Sequence, residues 1–399
     1  MIAQAAAPAR PAVDFTLPAG SEASEPPERR GLPRDGVRLL VARPGHVAHR
    51  RFHDLPNLLE PGDLVVVNTS ATLPSAVDAR RADGRRAPVH VSTRLDDGDW
   101  VVELRLAGGG PDLGATVGER LYLPGGVRLR LIASYPDPEA TATRLWRAAV
   151  APRLAPRDYL PAHGRPIGYG YLSGRFPLAD RQNVYALRPG SAEMASAGRP
   201  FTAGLVARLV ARGITLAPVV LHAGVSSPEL YEPPMPERFH VPEDTARLVE
   251  SARASGRRVV AVGTTVVRAL ESAAGPDGAV ARARGWTELV LGPGRPARVV
   301  DGLVTGLHPP QASHLLLLEA VAGAALVRSA YGAALERGYL WHEFGDSMLF
   351  LPERGSSSRP RARRRRSRST PSTTPPSAMA MPTDTPIATS VESKVLPPK

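Results

Sequence analysis

The chain has 399 residues, 50 Lys/Arg against 38 Asp/Glu for a formal charge of +12, and a 43% hydrophobic fraction. That fraction supports a sizeable core but is too dilute for a membrane protein, and the length predicts two or three domains. Cysteine is absent, which excludes disulfides, cysteine-ligated zinc, iron–sulfur clusters and a thiolate nucleophile.

The charge is unevenly placed. Residues 352–399 hold ten Lys/Arg and three Asp/Glu, so most of the excess belongs to the tail. Of the 50 basic residues 48 are Arg, and both lysines, Lys394 and Lys399, lie in that tail. Such a bias, beside abundant Ala, Gly and Pro, fits GC-rich codon usage, and basic charge alone does not establish a nucleic-acid partner.

The N-terminal MIAQAAAPARP has no basic start followed by a continuous apolar run, so no export signal is expected and the protein is placed in the cytoplasm. The run DLVVVN predicts a buried sheet strand. Residues 70–154 then read as β-rich. In WVVELRLA, Trp100, Val102, Leu104 and Leu106 alternate with Glu103 and Arg105, and in VRLRLIA, Val127, Leu129 and Leu131 alternate with Arg128 and Arg130. Gly125-Gly126 is a hairpin signal, and short strands with such turns predict a small barrel or sandwich.

From about residue 200 helices and strands alternate. TAGLVARLVARG predicts a helix with Thr202 as N-cap and Gly213 as stop. ITLAPVVLH and RRVVAVG read as strands separated by a helix near 243–254; VVRALESA reads as a helix, TELVL as a strand, and a long helix begins near Ser313. The apolar stretch from Leu315 to Val327, interrupted by Glu319, is too short to span a bilayer and predicts a buried helix. The expected architecture is a discontinuous large α/β domain (13–69 plus 155–352), an inserted β-barrel domain (70–154) and a disordered Arg/Ser/Pro-rich tail (353–399). For the tail, an RNA-binding arm and an extension without a specific role both stay open.

Three segments could carry chemistry. AVGTTVVRALES (261–272) passes from an apolar strand through Gly263, Thr264 and Thr265 into a helix, and presents hydroxyls and unpaired N–H groups that favour a carboxylate or phosphate. Arg268 and Glu271 share one face of that helix, and a capped helix with a surface ion pair is the plain alternative. In VVDGLVTGLHPPQASH, Asp301 follows an apolar pair and His308 lies in a Pro-bounded loop, suited to proton transfer or substrate contact, with a loop histidine that does neither as the plain alternative. In FGDSMLF, Asp346 between a glycine and a strand could serve as a base, hold a ribose or simply form a turn. His222, after APVVL, belongs to the same sheet end if the strands are parallel.

In order and spacing these segments resemble the S-adenosylmethionine:tRNA ribosyltransferase-isomerase family of queuosine biosynthesis. The resemblance runs from Asp14 to Leu351 through DFTLP, RDGVRLLV, GDLVVVNTSATLP, QNVYA, AVGTTVVRALES, VVDGLVTGLHPP and YGAALERGYLWHEFGDSML. It implies an α/β domain with an inserted barrel, and transfer and isomerisation of the ribosyl part of S-adenosylmethionine onto 7-aminomethyl-7-deazaguanine in tRNA, forming epoxyqueuosine and releasing adenine and methionine. S-adenosylmethionine is then a consumed co-substrate, no further cofactor or metal is required, tRNA is the partner, no membrane is involved, and a monomer suffices. The resemblance makes His308, Asp301 and Asp346 the catalytic candidates, and Thr264, Thr265, Arg268, Glu271, Asn68, His222 and Glu237 the substrate-binding ones. Signature positions also depart from the family: Ala71 stands for an Arg, Arg199-Pro200 for Leu-His, Gly306 for an Asn, and EPPMPE keeps only Glu237 of a His-rich motif. These departures raise two alternatives, a paralogue serving another acceptor and a non-catalytic RNA- or nucleotide-binding protein.

Overall fold

A computed structural model describes residues 10–106, 108–140, 143–225 and 232–352; the tail 353–399, expected to be disordered, lies outside the described residues. Strands β1 (Arg38–Arg43) and β2 (His46–Arg51) form a hairpin, followed by the single turn α1 (Leu55–Leu58). β3 (Leu64–Asn68) carries the LVVVN run, buried at all five residues as in a strand covered on both faces. β4 (Ser70–Thr72) then leaves the sheet.

β5 (Ala76–Arg81), β6 (Arg86–Arg94), β7 (Trp100–Leu104), β8 (Arg120–Tyr122), β9 (Arg128–Ser134) and β10 (Leu145–Ala151) close into a barrel, which leaves no free sheet edge. Gly125 and Gly126 join β8 to β9 with φ of 71° and 76°, a left-handed pair that glycine adopts without Cβ strain. Leu129 and Leu131 face inward and Arg128 and Arg130 outward, as their alternation predicts. Glu103 departs from its pattern. It is fully buried, because Arg144 reaches its Oε1 at 3.0 Å and Arg105 its Oε2 at 3.1 Å, while Arg144 also holds Glu232 at 2.9 Å. The outer face of β7 is therefore packed under a buried ion network, where local alternation promised solvent.

Beyond the barrel come α2 (Pro156–His163) and β11 (Arg188–Ser191), which pairs in parallel with β4. α3 (Ala203–Ala211) is capped by Thr202, whose Oγ1 accepts the Leu205 N–H at 3.0 Å, and the chain turns at Gly213 with φ 76°. The remaining elements are β12 (Thr215–His222), β13 (Glu237–Val241), α4 (Glu243–Ala254), β14 (Val259–Val262), α5 (Thr264–Ser272), β15 (Ala283–Thr287), β16 (Gly302–Gly306), α6 (Ser313–Ala322), α7 (Ala324–Glu336) and β17 (Ser347–Phe350).

These build a nine-stranded sheet in the order β15-β13-β12-β3-β14-β16-β17-β1-β2. β12, β3, β14 and β16 run parallel, β17 runs antiparallel to β16, and β13 and β15 extend the sheet antiparallel. One face packs on α4 to α7, and the other on α3, Phe52, Leu55 and Phe201.

Two local expectations are corrected. The strand forms over Ala283–Thr287 and ends where TELVL was expected to begin. There Arg268 takes the Leu289 carbonyl and the Thr287 hydroxyl accepts the Leu289 N–H, so the backbone is diverted from the ladder. The long helix is two helices, because Gly323 at φ 80° breaks it and the halves bend by 118°. Ser313 is the first helical residue, with Ala312 at the cap position. Among the described residues no single helix is long and apolar enough to cross a membrane.

Candidate functional site

The parallel strands bring their carboxyl ends to one edge. Asn68 ends β3, His222 ends β12, Thr264 follows β14 through Gly263, and Gly306 ends β16. Because β17 is antiparallel, its first residue Ser347 pairs with Gly306, so the 342–346 loop reaches the same edge. Such an edge is where open α/β sheets bind ligands.

At its centre α5 begins. Gly263 has φ 93°, and a Cβ there would approach the Ala197 Cβ to 3.4 Å. Thr264 and Thr265 form the first turn, leaving the N-terminal N–H groups of a positive helix end at the strand edge. Thr265 Oγ1 accepts from Asn68 Nδ2 at 3.3 Å. Asn68 is buried and occupied further: Nδ2 donates to the Leu221 carbonyl at 2.8 Å, and Oδ1 accepts the N–H groups of Leu221 and Ser70, each at 3.0 Å. It ties β3, β12 and β4 together.

Arg268 and Glu271 make no pair with each other. Arg268 pairs with Glu237 and donates to the carbonyls of Met235, Thr287 and Leu289 at 3.1, 3.1 and 3.2 Å. Glu271 accepts the backbone N–H groups of Arg298, Val299 and Val300. Both buried side chains brace α5 from beneath. Glu237 also accepts the Gly224 N–H at 3.1 Å, and burial pushes its carboxyl upward despite Arg268.

His222 belongs to a hydroxyl chain. Its Nδ1 lies 2.7 Å from Ser70 Oγ, which lies 2.6 Å from Ser191 Oγ, which accepts the Ala223 N–H at 3.0 Å. Burial lowers the His222 pKa and favours neutral imidazole. Gly190 makes this fit: a Cβ there would stand 2.4 Å from His222 Nδ1.

His308 follows β16. Thr305 Oγ1 lies 3.0 Å from its Nε2, Tyr331 accepts its N–H at 3.1 Å, and Trp341 donates to its carbonyl at 3.1 Å. Its ring stacks on His314 at 4.5 Å and 4°. Burial, then the neighbouring His314 and His342, hold His308 well below its ordinary range, and burial brings His314 to about 4.

The two candidate aspartates separate. Asp346 lies at the functional edge, but its carboxylate takes the Arg38 N–H, Arg38 Nε and the Leu340 N–H, each at 2.8 Å, so it anchors the loop to β1. Asp301 is not brought to this edge at all. It precedes β16 and accepts the Val259 N–H at 3.0 Å at the start of β14. Five strand steps to Gly306 place it about 16 Å from the carboxyl edge. A residue before a parallel strand lies at the wrong end for a ligand that binds after it.

Sequence reasoning passed over the residues beside Asp346. A small recess of about 10 Å³, room for about one water, is lined by Ser196, Arg199, Gly306, His342, Glu343 and Asp346. Glu343 is largely buried, with Arg181 Nη1 3.3 Å from its Oε2. Burial, reinforced by Glu193 and opposed by Arg181, pushes its carboxyl up to about 7. His342 has φ 69°, a left-handed conformation uncommon outside glycine, and stacks on Tyr171 at 4.6 Å. Arg199 is buried over the Phe344 ring at 5.2 Å and donates to Glu28 at 2.8 Å, so the departure at this signature position fills one wall of the recess. The available signal was the adjacent His-Glu in WHEFGDSML. Among the described residues no group of three or more His, Asp or Glu is placed to hold a metal ion.

Residues 11–350 match a family model described as queuosine biosynthesis protein. The S-adenosylmethionine:tRNA ribosyltransferase-isomerase of Acidiphilium cryptum is 37% identical, over 84% of this chain and 97% of its own. Those of Gloeobacter violaceus and Thermus thermophilus are each 36% identical, covering 86% and 85% of this chain and 96% and 99% of theirs. The crystal structure of the S-adenosylmethionine tRNA ribosyltransferase of Thermotoga maritima is 29% identical and aligns over 85% of this chain and 99% of that one, with a TM-score of 0.47.

Proposed function

We infer a function from one premise: the chain belongs to the queuosine biosynthesis protein family. It is an S-adenosylmethionine:tRNA ribosyltransferase-isomerase, transferring and rearranging the ribosyl part of S-adenosylmethionine onto 7-aminomethyl-7-deazaguanine in tRNA to give epoxyqueuosine, adenine and methionine. The observation that carries this is the family-model match over residues 11–350, together with relatives of that name such as one 37% identical over 84% of the chain. Neither a paralogue with another acceptor nor a non-catalytic binder draws support from those relatives.

The reaction needs a proton removed from the carbon beside the sulfonium, an amine held deprotonated near the ribose, and a proton delivered to departing adenine. The sulfonium itself acidifies the carbon. The start of α5, with Thr264 and Thr265, suits the carboxylate of the methionyl part. His308, kept neutral by its surroundings, can accept a proton. Glu343, poised near neutrality in the recess beside Gly306, can give or take one. Asn68, Arg268, Glu271 and Asp346 act as positioning residues, and His222 and Glu237 border the acceptor side. Asp301 has no part. The same reading treats 70–154 as a module inserted between 13–69 and 155–352, and has a monomer act on tRNA in the cytoplasm with no prosthetic group.

The test is incubation with S-adenosylmethionine, with and without tRNA bearing the aminomethyl-deazaguanine base, measuring adenine and epoxyqueuosine. Both products are expected, and only with tRNA. Adenine alone points to another acceptor; neither product defeats the enzymatic reading.

A further inference from the structure

One face of the sheet is left without a helix where β13 and β15 extend it. In the antiparallel register His222 lies opposite Arg238 and Arg238 opposite Trp286; one step along, Val220 lies opposite His240 and His240 opposite Arg284. Directly opposed residues, and residues two apart, share a face. The other face of the same strands sends Leu221, Phe239 and Val241 into the core under α4 to α7. Arg282 and Arg284 are exposed, and Arg238, His240 and Trp286 are partly so.

The composition of this face is specific. The Arg238 guanidinium stacks over the Trp286 ring at 4.9 Å, and Asp96, from the turn between β6 and β7, accepts from both Arg238 and Trp286 Nε1. Arg188, on β11 in register with Ser70, comes close enough to His240 to act on it electrostatically together with Arg282 and Arg284, and Arg94 acts likewise on Arg238. Glu288, just beyond β15, is the acid at the rim. Among the described residues Arg188, Arg282 and Arg284 have no carboxylate partner. Some surface arginines are paired, as Arg81 is with Asp112 and Glu119 and Arg147 with Asp97 and Asp99, while others, such as Arg120, Arg128 and Arg130 on the barrel, also have no carboxylate partner among the described residues. Unpaired arginine is therefore not distinctive in itself; what sets this strip apart is the Trp286 ring among the guanidiniums and its register with His222 at the carboxyl edge.

We propose that this strip, Arg188, Arg238, His240, Arg282, Arg284 and Trp286, is an RNA-binding surface that takes the phosphates of the tRNA flanking the modified base. The proposal rests on the functional reading above. Unpaired guanidiniums gain most from phosphate, because fork-shaped bidentate contacts and counterion release act together. An aromatic ring beside them offers a stacking platform for an unstacked base. The strip also joins the edge where the chemistry would occur: His222 stands in register with Arg238 and bonds Ser70, the partner of Arg188. A strand bound here would deliver its base to that edge.

The test uses the full chain, an unmodified tRNA transcript as probe, and binding measured across a salt series. R282A/R284A is expected to weaken binding at least tenfold at moderate salt and to lower the slope of log affinity against log salt by about 1.4, at about 0.7 per single-stranded phosphate contact. R282K/R284K should retain the slope, and R212A/R257A, which removes two exposed charges at the opposite sheet edge, should behave as wild type. Affinity for S-adenosylmethionine should be unchanged in all three. A slope in R282A/R284A equal to wild type overturns the surface and assigns the binding elsewhere, the tail included. Binding is read without turnover, so wild-type protein that binds tRNA through this strip yet yields no adenine defeats the functional reading and leaves the surface standing.

Discussion

Replacing Glu343 by Gln tests whether the recess holds a carboxyl poised for proton transfer. Glu343 is packed against Tyr169, Arg181 and Glu193, and burial outweighs the Arg181 attraction to bring its pKa from 4.5 to about 7. A carboxyl raised in the folded state binds its proton more tightly than when unfolded. Its contribution is fully present below pH 4.5 and is lost as pH rises through about 7. At about 1.4 kcal/mol per unit, the loss is about 3 kcal/mol by pH 8. Glutamine imitates the protonated form in size and charge. E343Q should therefore be more stable than wild type by about 3 kcal/mol at pH 8, with the gap closing by pH 4.5. Urea unfolding at half-unit pH intervals measures this directly. In the enzymatic assay the same variant should lose turnover by a factor of about 100 or more, the lower range for general acid–base catalysis, with little change in S-adenosylmethionine affinity. A stability gap that does not change with pH would refute the assigned ionisation, and full turnover in E343Q would refute its part in the reaction.

Arg268→Met should cost about 3–5 kcal/mol, because Glu237 is left as an unpaired buried charge and three carbonyls lose their donor. Glu237 already titrates high, so this loss should be smaller at pH 5 than at pH 8, as read by denaturant midpoints; an equal loss would contradict the pairing. Gly190→Ala places a methyl 2.4 Å from His222 Nδ1 and should displace the ring from Ser70, costing about 1–3 kcal/mol and lowering turnover, measured by thermal melts and adenine release. Removing residues 355–399 should leave the melting temperature of the body within about 2 °C of the full chain, since a change near 0.5 kcal/mol moves a domain of this size no further. A broadened or lost transition would show that the body depends on the tail.

Much of the architecture was legible because it rests on local physics. The fully apolar LVVVN run, the Thr202 cap, the stop at Gly213 and the Gly125-Gly126 turn each express a rule that operates within a few residues. The failures fell where distant residues intervene. TELVL has strand-like composition, but Arg268 takes its Leu289 carbonyl from 21 positions away. Glu103 alternates as an exposed residue, yet Arg144 and Glu232 come across to bury it.

The chemical residues divide in the same way. Sequence alone determined the family, the strand–turn–helix at Gly263, Thr264 and Thr265, and the presence of histidines in the loops after strands, because order and spacing are properties of the chain. Only the tertiary structure decided which end of the sheet each residue occupies: His308 lies after a parallel strand and Asp301 before it, so one reaches the shared edge and the other cannot. It also turned Arg268 and Glu271 from a presumed pair into two separate braces, and gave Glu343 its pKa near neutrality. Desolvation and charge at a point depend on everything packed around it. No short stretch of sequence contains that sum.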